Sequence, residues 1–185
     1  FPTRRSSDLT SGVNNGGVNT TFDLGATGNP TTRNSAIINI GAITGTGSLS
    51  GSSGATGTGT FSIGGKGTDS TFNGVITDSA ASRFAALTKV GSGSLTLGGS
   101  NTYSGATSIT AGKLLVNGAI SASAFGAASA VTVGIDGTLG GTGILNGVVT
   151  SNGTIAPGMG SGTLTINSTL NLNASAVLSC ELNGG

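Results

Sequence analysis

A glycine, then a small or polar residue, then an apolar one recurs along this chain. It appears as Gly47-Ser48-Leu49, Gly59-Thr60-Phe61, Gly93-Ser94-Leu95 and Gly112-Lys113-Leu114, and again as Gly137-Thr138-Leu139, Gly153-Thr154-Ile155 and Gly162-Thr163-Leu164. The intervals are irregular, so the chain is not a strict tandem array. One structural device is being reused: glycine makes a corner and the next residues enter a strand.

Beyond each corner the apolar residues alternate with period two, the signature of strands with one buried face. This predicts an inward set of Leu95, Leu97, Leu114, Val116, Val131, Val133, Leu164, Ile166, Leu170 and Leu172. In "VLSCEL" the same parity groups Leu178, Cys180 and Leu182, which makes Cys180 a small buried apolar residue. Helix signals are nearly absent. The Ala-rich patches Ala80–Leu87 and Ser121–Ala130 are too short or too broken for helices and are expected to be loops or single turns.

Two all-β architectures use short strands and many corners. In a β-sandwich they pair through hairpins, and Asn117-Gly118 and Asn146-Gly147 are favourable hairpin turns. In a β-solenoid they stack in parallel. Aromatic residues make up only 4% of the chain. A sandwich core about 10 Å thick needs larger side chains, whereas a solenoid interior is filled by stacked Val, Leu, Ile and Ala. The solenoid is the expected fold, with the sandwich as the alternative.

Residues 87–116 read "LTKVGSGSLTLGGSNTYSGATSITAGKLLV". The order Leu-Thr-Lys-x-Gly, Gly-x-Leu-x-Leu, Asn-x-Tyr-x-Gly-x-Thr and Ala-Gly-x-Leu resembles the autotransporter-associated β-strand repeat. Gly59–Asp78 and Gly137–Leu172, with its Ala156-Pro157-Gly158 turn, resemble that family's flanking segments. The resemblance implies a right-handed parallel β-helix belonging to the passenger of a bacterial surface-displayed or secreted protein. It also implies anchoring in the outer membrane through another region. The partners it implies are neighbouring coils of the same parent chain, with a glycan or host surface as a further one.

The first nine residues, "FPTRRSSDL", lack the apolar run that a twin-arginine export signal requires. They resemble the translation of a sequencing-adaptor end. That resemblance implies an artefactual leader at 1-9 and a β-helix segment of a larger surface protein at 10-185.

Composition narrows the chemistry. Seven Lys and Arg face six Asp and Glu, a net charge of +1, so nothing draws in nucleic acid or an anionic membrane. With no His, neither a Ser-His or Cys-His dyad nor an imidazole metal site can form. Asp23, Asp69, Asp78, Asp136 and Glu181 are isolated in sequence and read as turn residues, so no catalytic residues are assigned. "GGKGTDSTF", Gly64–Phe72, approaches the calcium nonapeptide of β-rolls, but one copy supplies half a site and Thr71 stands where an apolar residue belongs. No metal site and no cofactor are therefore assigned. Paired Thr-Gly-Thr at Thr56–Thr60 does not recur once per coil, which argues against an ice-binding ladder. Lys66, Lys89 and Lys113 are expected to be surface charges, and Tyr103 a packing aromatic. The expected function is a non-enzymatic stalk or scaffold, with an adhesin segment as the alternative and a β-helix polysaccharide-degrading enzyme as a more remote one.

Overall fold

The computed structural model describes residues 21–24, 36–52, 56–158 and 162–180. Residues 1–9 (expected above to be a leader), Leu182 and Glu181 lie outside them. The described chain is a parallel β-solenoid of about 6 coils with no helices. Apart from three isolated antiparallel bridges at corners, strand pairing is parallel. The Asn-Gly pairs are therefore corners of the solenoid, Asn117-Gly118 within one coil and Asn146-Gly147 between two, and the sandwich alternative does not apply.

Each coil contributes one strand to each of three faces. β1 (Thr21–Leu24) precedes the first complete coil, formed by β2 (Ile37–Ile40), β3 (Ala42–Gly45) and β4 (Ser48–Ser50). The second is β5 (Gly57–Ile63), β6 (Ser70–Phe72) and β7 (Val75–Thr77), and the third is β8 (Arg83–Lys89), β9 (Ser94–Leu97) and β10 (Ser100–Thr102). In the fourth, β11 (Thr107–Val116) rounds one corner without a break before β12 (Ala119–Ser121). In the fifth, β13 (Val131–Gly141) does the same before β14 (Ile144–Leu145). The sixth is β15 (Val149–Ser151), β16 (Thr154–Pro157) and β17 (Thr165–Ile166); β18 (Leu170–Leu172) and β19 (Val177–Leu178) follow. The long strands β11 and β13 join the first two faces into one 13-stranded sheet, while the third face is a six-stranded sheet.

Inward residues stack on their register partners. One column runs Phe61, Leu87, Thr107, Val131, Val149, Leu170. Another runs Leu95, Leu114, Leu139, Ile155, Leu178, and on the third face Leu49, Ile76, Asn101, Ile120, Leu145, Ile166. Leu95, Leu97, Leu114, Val116, Val131 and Val133 are buried as the alternation requires. Each contributes about 1.5–3 kcal/mol by leaving water.

Three expectations need correction here. Leu170 and Leu172 keep the inward register but are 37% and 46% exposed, because no described coil lies upon theirs; Leu164 and Ile166 are partly buried. Cys180 is exposed for the same reason. Ala80–Leu87 is not a loop: Arg83–Lys89 forms β8, paired along its length with β5. Ser121–Ala130 does stay largely irregular, with a single bridge from Ser123 to Gly126.

The recurring glycines become regular in space. Gly47, Gly74, Gly99, Gly118 and Gly143 stack at the corner between the second and third faces. A Cβ at Gly74 or Gly99 would lie 1.9 Å from the carbonyl oxygen of the glycine one coil earlier, and at Gly118 or Gly143 it would lie 2.1 Å away. Chain spacing varies, as with Thr77 over Thr102 at 25 residues and Asn146 over Asn167 at 21. The column keeps the coils aligned despite this.

Candidate functional site

The interior carries polar groups where the stacking would otherwise place apolar ones, and they concentrate in the third and fourth coils. Lys89 follows Leu87 on the inward parity of β8 and stacks between Ile63 and Ile109. It is 1% exposed, so it is not the surface charge its residue type suggested. Its Nζ donates to the carbonyls of Val90 at 2.6 Å, Gly91 at 2.9 Å and Ala111 at 3.2 Å. Glycines make the space: a Cβ at Gly112 would stand 2.9 Å from Nζ, and one at Gly64 3.1 Å. Burial pushes the ammonium down to about 8, partly opposed by Asp69.

Asn101 occupies an inward position between Ile76 and Ile120 with no exposure. Its Oδ1 accepts from the Ile76 N–H of the preceding coil, and its Nδ2 donates to Gly99 and to Ala119 of the following coil. One side chain thus ties three coils. Tyr103 is fully buried and its hydroxyl lies 2.6 Å from Thr107 Oγ1, which in turn lies 2.8 Å from Ser129 Oγ. Ser129 donates onward to the Ala130 carbonyl, so the protons run in one direction from the phenol. Burial raises the Tyr103 hydroxyl to about 12, against the Thr107 and Ser129 hydrogen bonds.

Asp78 ends the third-face strand of the second coil and is 5% exposed. Its carboxylate accepts from the Ala85 N–H at 2.8 Å, from the Ser104 N–H and from the hydroxyls of Ser104 and Ser123, both at 2.7 Å. These donors belong to three consecutive coils, counting Asp78's own connection into β8. Asp78 is therefore an internal acceptor and not a solvated turn residue.

Lys89 and Tyr103 set an alkaline stability profile. Between pH 8 and 10.5 the unfolded Lys89 holds a proton that the folded one has lost, so stability rises with pH. Between pH 10 and 12 the folded Tyr103 holds a proton that the unfolded one has lost, so stability falls. Denaturant midpoints are expected to peak near pH 10. Lys89→Met should flatten the rising limb and Tyr103→Phe the falling limb. A profile unchanged by both variants would contradict the burial of these two groups.

On the outer surface, the second face carries a groove of about 490 Å³ lined by Thr44, Asp69, Ser70, Thr71, Ser94, Thr96 and Leu115. It has hydroxyls and one carboxylate but no aromatic ring. Asp69 accepts from the Ser94 N–H at 2.8 Å, and this bond holds its carboxyl below the usual range. The calcium-like stretch is thus a corner: Gly64 and Gly67 have positive φ, Gly67 N–H closes on the Gly64 carbonyl, and Asp69 braces the next coil. Among the described residues no three His, Cys, Asp or Glu side chains converge. Of the other acids, Asp23 accepts from the Thr44 hydroxyl and Asp136 is exposed at the corner of β13. Lys66 reaches Thr21 Oγ1 at 2.9 Å, and Lys113 is exposed.

Parallel three-strand coils, stacked glycines and buried polar ties define a β-solenoid repeat unit. Residues 87–116 match the family model described as passenger-associated-transport-repeat, and with this fold they fit an autotransporter passenger repeat. No curated protein and no solved structure matches the chain. The matched stretch starts within β8 and ends with β11, one circuit of the solenoid plus one strand. Its motif letters have structural reasons: Leu87, Leu95, Leu97 and Leu114 fill the interior, and Lys89, Asn101, Tyr103 and Thr107 are its polar ties. Gly105 leaves room for the Ala85 carbonyl.

Proposed function

We propose that this chain is a stalk or scaffold segment in the passenger of a bacterial surface-displayed protein, with no catalytic role of its own. The observation that carries the reading is where the unusual polar residues point. Lys89, Asn101, Tyr103, Asp78 and Thr107 are directed into the molecule and are occupied in holding coils together. A rod held by nearest-neighbour coils extends without needing a central core. Secretion, outer-membrane anchoring and surface attachment of the parent protein belong to this proposal.

The second-face groove favours one other reading, an adhesin segment that meets a glycan or host surface there. Immobilised protein probed with arrayed neutral, amino and acidic glycans separates the two. The stalk reading expects no saturable binding. Saturable binding lost in Asp69→Asn would replace it with the adhesin reading.

A further inference from the structure

Four Asn-Gly pairs lie among the described residues, at Asn73-Gly74, Asn117-Gly118, Asn146-Gly147 and Asn152-Gly153. In such a pair the glycine amide nitrogen can reach the asparagine side-chain carbon, because no Cβ shields it. Three of the four are restrained. Asn117 Oδ1 accepts from the Thr142 N–H, and the Gly118 N–H is committed to the Leu97 carbonyl at 3.0 Å. Asn146 donates to Ser121 and accepts from Asn167, and Asn152 accepts from Asn173. Asn73 differs. It is exposed, its carboxamide makes no hydrogen bond with the described residues, and its oxygen lies against Gly98, which has no side chain. The N–H of the buried Gly74 meets no acceptor among them, as is also true of Gly147 and Gly153, so the free carboxamide is what sets Asn73 apart.

We infer that Asn73-Gly74 is a site of spontaneous self-modification, the one Asn-Gly pair among the described residues whose carboxamide the solenoid leaves free to cyclise. The Gly74 nitrogen, losing its proton to solvent base, attacks the Asn73 side-chain carbon. A C–N bond forms and ammonia leaves with the side-chain nitrogen. Water then opens the succinimide at either carbonyl, leaving aspartate or isoaspartate at position 73. No oxidant or cofactor is needed. The isoaspartate product inserts a methylene into the backbone beside Gly74, where even a Cβ would lie 1.9 Å from the Gly47 carbonyl. The product therefore strains the glycine column, and the new carboxylate adds a negative charge at that corner.

The test is peptide mapping by mass spectrometry of the folded protein, aged at mildly alkaline pH in isotopically labelled water. The expected result is label uptake and loss of the amide at Asn73 about two- to tenfold faster than at Asn117, Asn146 or Asn152, the factor set by one hydrogen bond that must first open. In denaturant all four should react at similar rates, because the selectivity comes from the fold. Asn73→Gln should remove the early modification without exposing the other three. Equal rates at the four sites in the folded protein, or an Asn73 amide that outlasts the others, would overturn the inference.

Discussion

Gly99→Ala is expected to destabilise the solenoid by about 3 kcal/mol or more, at the upper end for overpacking a close contact. The new Cβ would stand 1.9 Å from the Gly74 carbonyl oxygen and 2.9 Å from its carbon. Backbone lies on the other side of that contact, and it is fixed by the Ala119 N–H bond to the Gly99 carbonyl and the Val75 N–H bond to the Gly47 carbonyl. No side chain can swing away, so the coils must separate. Equilibrium urea unfolding measures the effect. Ser100→Ala is the control, since Ser100 is exposed and should change stability by less than about 0.5 kcal/mol. If the two variants unfold at the same midpoint, the glycine column does not hold the coils together.

Asp78→Ala is expected to cost about 4 kcal/mol. It leaves the N–H groups of Ala85 and Ser104 and the hydroxyls of Ser104 and Ser123 without their acceptor, and an unsatisfied buried polar group costs about 1–3 kcal/mol. Asp78→Asn keeps one carbonyl oxygen and should lose roughly half as much. Amide hydrogen exchange gives an independent reading: protection at Ala85 and Ser104 should fall in both variants, while Ile155, two coils beyond Ser123, keeps its own. Uniform loss of protection would mean that Asp78 acts on the whole rod and not on its own three coils.

Alternation made much of this molecule readable before its fold was known. Leu95 and Leu97, Leu114 and Val116, Val131 and Val133 pair by parity, and all six are buried. The polar ties were harder because residue type competed with position. Lys89 shares the parity of Leu87, Asn101 that of Tyr103, and Asp78 that of Ile76, so each stood on an inward position. What hid Lys89 was the cost of burying an ammonium. That cost is offset only in part by three carbonyls that only the folded corners bring together. β8 was obscured for a different reason: Phe84, Ala85, Ala86 and Leu87 form a continuous apolar run with no alternation to read. The outer groove was not legible at all, since its lining residues come from four successive coils and are neighbours only in the stacked fold.

The polar residues of the outer third face add one more consequence. Thr77, Thr102, Ser121, Asn146 and Asn167 follow one another up the rod, joined by Thr102 to Thr77, Asn146 to Ser121 and Asn167 to Asn146. Alignment is thus counted in columns and not in residues, and the chain is free to spend extra residues at corners. The connection from Ser121 to Val131 does so, carrying Phe125 outward at 45% exposure while the strands on either side stay in register. In evolutionary terms such a corner is a cloning site. Loops can be inserted, lengthened or lost there without rewriting the coils.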